Sequence, residues 1–114
     1  MPSLYARMTK RKPSLRTVRR TQARERAALV KDLERVARLA TGGAPDRPQE
    51  VEAPSQVEPI AEAAVCPLCN GALRLENHAA ETHDGNRLRV AHVRCTSCGV
   101  ARALYFRLAG SALN

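Results

Sequence analysis

The sequence predicts a small α+β protein with an N-terminal amphipathic helix, a Pro-rich extended linker and a C-terminal three-stranded antiparallel sheet. Three observations predict it. Residues 14–41 contain neither Gly nor Pro, residues 44–59 hold four prolines among acidic side chains, and the last 49 residues alternate apolar with polar. The chain has 114 residues, enough for one small domain. Aromatics are 3% of it, with no Trp and Phe106 the sole Phe, which excludes a large aromatic-lined cofactor pocket.

The helix is expected over residues 14–41. Arg, Ala, Leu, Lys and Glu dominate there and all favour helix. Ser14 offers a hydroxyl N-cap, and Thr41, Gly42 and Gly43 offer a left-handed exit. Leu29, Val30, Leu33, Val36, Ala37 and Ala40 recur at helical spacing and form an apolar stripe. Within it, Leu29, Leu33, Val36 and Ala40 are the candidate contacts for a partner or for self-association of the helix. The stripe could equally fold back within its own chain.

Charge is unevenly spread. Residues 1–40 carry 12 basic and 3 acidic side chains, residues 41–65 carry 1 and 5, and residues 66–114 carry 6 and 3, for a net +8. Arg7, Lys10, Arg11, Lys12, Arg16, Arg19 and Arg20 place seven cations in fourteen residues with no acid among them. Such a segment suits phosphate through counterion release and is the candidate nucleic-acid contact, an acidic protein surface being the other partner it fits. A solvated Arg-rich helix is the plain alternative. Residues 1–13 are expected to be a disordered basic tail and residues 111–114 a flexible one.

Pro45, Pro48, Pro54 and Pro59 make residues 42–63 an expected linker or edge segment, on which Val51 and Val57 could dock. Beyond it, Leu73 and Leu75, then Leu88 and Val90, then Leu104, Phe106 and Leu108 mark strands near 72–82, 87–95 and 101–109. Asp84, Gly85 and Asn86 supply the hairpin between the first two. Arg74, Arg89, Arg94, Arg102 and Arg107 fall on or near these strands as a possible second basic patch.

The strongest signal is a pair of equal spacings, Cys66-Pro67-Leu68-Cys69 and Cys95-Thr96-Ser97-Cys98, separated by 25 residues. Two residues between thiolates let both sulfurs face one ion from a tight turn. Asn70 and Gly71 follow one pair and Gly99 the other, residue types that tolerate the positive φ such turns need. The apolar side chains of residues 66–114 make a marginal core for a unit of that size. Structural zinc adds on the order of 10 kcal/mol to folding in such cases.

Two knuckles bridged by a hairpin, with a third strand after the second knuckle, resemble the zinc ribbon family over residues 64–109. The motifs read CPLCNG from Cys66 and CTSCG from Cys95. The resemblance implies a ribbon over 64–110 with Cys66, Cys69, Cys95 and Cys98 holding one structural Zn2+. Asn70 stands where many ribbons have Gly. Zinc ribbons occur in transcription factors, RNA polymerase subunits, ribosomal proteins and interaction modules, so the scaffold leaves function open.

Other readings of the cysteines fit less well. Disulfides are disfavoured because nothing points to secretion and each pair would close a strained short loop. A thioredoxin-type redox site needs one such pair at a helix start. Rubredoxin-like iron uses the same spacing, usually among aromatics this region lacks. His78, His83 and His92 read as surface or cross-strand residues; only 8 residues separate Cys69 from His78, where a two-Cys, two-His finger has about 12.

No catalytic constellation is visible. Four cysteines would close a zinc shell, and the His-x-Glu of zinc deaminases is absent. The expectation is a non-enzymatic, basic, nucleic-acid-binding protein of the cytoplasm, or alternatively a protein-interaction adaptor. No membrane segment or small-molecule substrate is expected.

Overall fold

A computed structural model describes residues 12 and 14–109. The expected termini, 1–13 apart from Lys12 and 111–114, lie outside the described residues, as do Arg7, Lys10 and Arg11. The chain divides between Asp32 and Leu33 into two structural units.

The first unit is the bulk of helix α1, Leu15–Leu39. Its start is the expected cap: the Thr17 amide donates to Ser14 Oγ at 3.1 Å, and the Val18 amide donates to the Ser14 carbonyl at 2.9 Å. α1 buries no residue along its length. Its exit uses Gly42 at φ +83°, and Gly43 is fixed by space, since a Cβ there would lie 1.9 Å from the Ala37 carbonyl oxygen.

The second unit holds the last turns of α1 and a four-stranded mixed sheet. Its strands are β1 (Gln49–Val51), β2 (Leu73–His83), β3 (Asn86–Cys95) and β4 (Ala101–Leu108), in the order β1-β4-β3-β2. The three expected strands form, and their pairings are antiparallel. The expectation of three strands, all antiparallel, is corrected by β1, which runs parallel to β4 with Gln49 opposite Phe106 and Val51 opposite Leu108.

The expected linker over 42–63 is corrected with it. Besides β1 it contains a 3-10 turn (Pro54–Gln56) and helix α2 (Val57–Ala63). Prolines misdirect the reading because Pro54 opens the 3-10 turn and Pro59 sits in the first turn of α2, where backbone amides have no helical acceptor to lose. Val57, Ile60, Ala61 and Ala64 recur at helical spacing and turn toward the sheet; Val57 and Ala61 are fully buried.

That contact makes the core. Val51, Val57, Ala61, Cys66, Leu73, Ala91, Val93, Cys95 and Phe106 form one buried cluster. In β3 the alternate residues Leu88 and Val90 are also buried, outside that cluster. His83 on β2 and Tyr105 on β4 meet edge to face at 5.5 Å, although β3 lies between their strands. Both rings therefore lean over β3, on the face that carries Leu88 and Val90. The hairpin turns through Asp84 (φ 50°) and Gly85 (φ 79°), two positive-φ residues as a two-residue type I′ turn requires.

Candidate metal centre

Each knuckle is a short loop closed by backbone hydrogen bonds at a strand end. The Cys66 amide donates to the Gly71 carbonyl at 2.9 Å and the Asn70 amide to the Cys66 carbonyl at 2.8 Å. The second loop repeats this, with the Cys95 amide on the Val100 carbonyl at 2.9 Å and the Gly99 amide on the Cys95 carbonyl at 3.1 Å. Asn70 (φ 61°) and Gly99 (φ 78°) hold equivalent positive-φ positions, so Asn in place of Gly preserves the turn.

The loops are tied to each other as well. Both the amide and the hydroxyl of Thr96 donate to the Ala72 carbonyl, at 2.9 and 3.0 Å. Gly71 is required by proximity: a Cβ there would lie 2.7 Å from Ser97 Oγ and 2.9 Å from Cys95 Sγ.

The result brings the four sulfurs of Cys66, Cys69, Cys95 and Cys98 within 4.8 Å of one another. Cys66 Sγ lies 3.7 Å from Cys98 Sγ, and Cys69 Sγ lies 3.4 Å from Cys95 Sγ. Sulfurs at the corners of a tetrahedron with metal–sulfur bonds of about 2.3 Å are separated by nearly 3.8 Å, whereas a disulfide requires about 2.05 Å. The spacing is that of ligands, and all four cysteines are free thiols. The donor set is positioned to bind one metal ion and is consistent with zinc.

The sulfurs are not equivalent. Cys66 and Cys95 are buried, Cys69 and Cys98 exposed. Cys95 Sγ accepts the amides of Ser97 (3.3 Å) and Cys98 (3.4 Å). Those donors, the Cys98 amide foremost, draw the Cys95 thiol down to about 6. Its hydrogen bond to Cys95 pushes the neighbouring Cys69 thiol up to about 12. The sequence offers no sign of this, because amide direction is set by loop closure.

None of the three histidines joins the sulfur cluster. His92 Nε2 and His83 Nε2 bond the two oxygens of Glu81, at 2.7 and 3.1 Å, and His78 Nδ1 bonds Glu58 at 3.1 Å. The His92 and His83 contacts hold the Glu81 carboxyl below its usual range. The His92 contact crosses from β3 to β2, the His83 contact lies within β2, and the His78 contact joins α2 to the sheet, so the expectation of surface or cross-strand histidines does not describe His78.

The basic residues divide. Lys12, Arg16, Arg19 and Arg20 are exposed, and none of them forms an ion pair with another described residue. On the sheet, Arg94 pairs with Glu76 at 3.0 Å, Arg102 with Glu34 at 2.6 Å, and Arg107 with Glu50. Arg89 and Arg102 are half-buried. Of the five arginines expected as a second patch, Arg74 alone is both exposed and outside these pairs. Along the helix stripe Leu29 (57%), Val36 (64%) and Ala40 are exposed, and Leu33 is half-buried. No helix among the described residues is long and apolar enough to cross a membrane.

No family model, curated protein or solved structure matches the chain.

Proposed function

We propose that this chain is a non-catalytic zinc module built like a zinc ribbon, and that its basic N-terminal arm places it on the phosphate backbone of a nucleic acid. The observation that carries the metal part is the set of four sulfurs within 4.8 Å. Four thiolates fill every position of tetrahedral zinc and leave none for water or substrate, so the ion is structural. Support for the nucleic-acid part comes from the exposed Lys12, Arg16, Arg19 and Arg20, whose charge no neighbouring acid among the described residues neutralises in an ion pair.

The test is a salt titration of the zinc-loaded chain on generic duplex DNA and RNA. Micromolar binding that weakens steeply with salt is expected, and replacing Arg16, Arg19 and Arg20 with Gln should flatten the log–log slope by roughly 2–3. No binding at about 50 mM salt, where counterion release is strong, would remove this half of the reading.

One observation favours a second reading, that of an adaptor: Leu29 and Val36 are large apolar side chains exposed on one continuous helix. Mass in solution distinguishes it. An adaptor of this kind self-associates or holds a polypeptide, and Leu33→Asp abolishes the association.

A further inference from the structure

From Leu15 to Asp32 the first structural unit is helix α1, and α1 buries no residue. A helix turns once in about 3.6 residues, so residues spaced by three, four or seven share a side. On that spacing the charges of α1 separate. Arg16, Arg20, Ala23 and Ala27 stack into one row. Arg19 and Arg26 run along one flank of the row, and Arg24 and Lys31 along the other. Glu25 and Asp32 fall on the opposite half, with Leu15, Val18, Gln22 and Leu29. All six cations are exposed and no acid interrupts them.

The middle of this cationic half is shallow where it matters. Ala23 and Ala27 end at Cβ, so the helix backbone can approach a surface closely there while the arginines on both flanks reach past it. Two rows of cations beside a shallow row match two walls of phosphate with a gap the size of a helix between them. Duplex DNA has that shape: its major groove is about 12 Å wide, a helix with side chains is about 10–12 Å across, and phosphates line both rims. A single strand would meet one row and leave the other in solvent. Duplex RNA keeps its major groove deep and too narrow for side chains to read. From Arg16 to Lys31 the cations span about 22 Å, or about six base pairs.

We infer that α1 lies in the major groove of duplex DNA, with Ala23 and Ala27 toward the base edges, Arg19 and Arg26 on the phosphates of one strand, and Arg24 and Lys31 on those of the other. The inference rests on the nucleic-acid reading above. It adds the polymer, the groove and three contacts beyond the N-terminal arm, Arg24, Arg26 and Lys31. The half that carries Leu15, Val18 and Leu29 then faces away from the DNA.

The experiment uses the full zinc-loaded chain and fluorescence anisotropy on one sequence prepared as duplex DNA, as duplex RNA and as single-stranded DNA, all at the same salt. Duplex DNA should bind tighter than either of the others by roughly ten-fold or more. The double variant Ala23→Leu with Ala27→Leu keeps helix propensity but fills the shallow row, and should weaken duplex DNA by roughly ten-fold. Thr21→Leu makes a comparable change on the opposite half and should leave the affinity unchanged, with circular dichroism confirming that the helix persists in both variants. Equal affinity for the two duplexes, a double variant that binds duplex DNA as tightly as the parent, or an equal loss with Thr21→Leu would overturn the groove and leave phosphate contact standing. Binding to none of the three polymers defeats the nucleic-acid reading itself and this inference with it.

Discussion

Helix α1 and the sheet that follows are ordered by opposite means. α1 runs 25 residues without burying one of them, and its first turns depend on capping and propensity alone. The sheet region buries a cluster from Val51 to Phe106 and gathers four sulfurs at the end of that cluster, with Cys66 and Cys95 belonging to both. The difference teaches where the two halves of the proposed function come from. The sheet region directs its cysteines inward to a candidate metal centre, whereas α1 leaves Arg16, Arg19, Arg20, Leu29 and Val36 exposed.

The largest break in this comparison is removal of metal. Chelation of the reduced chain should abolish the sheet signature in circular dichroism, because binding of a structural zinc ion is coupled to folding with a free energy on the order of 10 kcal/mol. Part of the helical signal should persist, since α1 has no core to lose. Next in size is Phe106→Ala, which empties the largest fully buried side chain and should cost about 3–5 kcal/mol in urea unfolding of the zinc-loaded chain.

Gly71→Ala sharpens the comparison from inside the site. Its Cβ would press on Cys95 Sγ and Ser97 Oγ, so zinc affinity should fall by about 1–3 kcal/mol in a competition titration while helicity of α1 is unchanged. Ser14→Ala is the converse. It removes the hydroxyl that accepts the Thr17 amide and should reduce helical dichroism by about 1 kcal/mol of cap energy, with zinc binding untouched.

Glu81→Gln should have the smallest effect, read as a lowered urea midpoint at pH 6. The His92 and His83 contacts lower the folded-state pKa of Glu81. Its carboxylate therefore stabilises fully above the unfolded value near 4.5 and loses that contribution as pH falls through the lower folded value. The gap between variant and parent should narrow on that acid side.

Much of this was legible in the sequence, for physical reasons that differ by residue. The cysteine spacing determines loop size, and the positive-φ residues Asn70 and Gly99 determine how the loops end, so the centre could be read from residue types alone. Alternation gave the three long strands to within one residue at either end. The segment over 42–63 is not legible as helix and strand because Pro59, in the first turn, costs α2 no hydrogen bond, and because β1 is too short to show alternation. The pairing of the sheet arginines was not legible for another reason. Charge on a strand is visible in sequence, but the acids that neutralise Arg94, Arg102 and Arg107 come from other elements and only the fold brings them near.

One ion is expected to gather the four thiolates and thereby fold the sheet. A cobalt(II) titration of the reduced, metal-free chain tests it most directly, with sulfur-to-cobalt charge-transfer absorbance and far-ultraviolet dichroism recorded on the same samples. Both signals should rise together and saturate at one equivalent, with the spectrum of tetrahedral four-sulfur coordination. A sheet already formed before cobalt is added, or a spectrum lacking that signature, would contradict it.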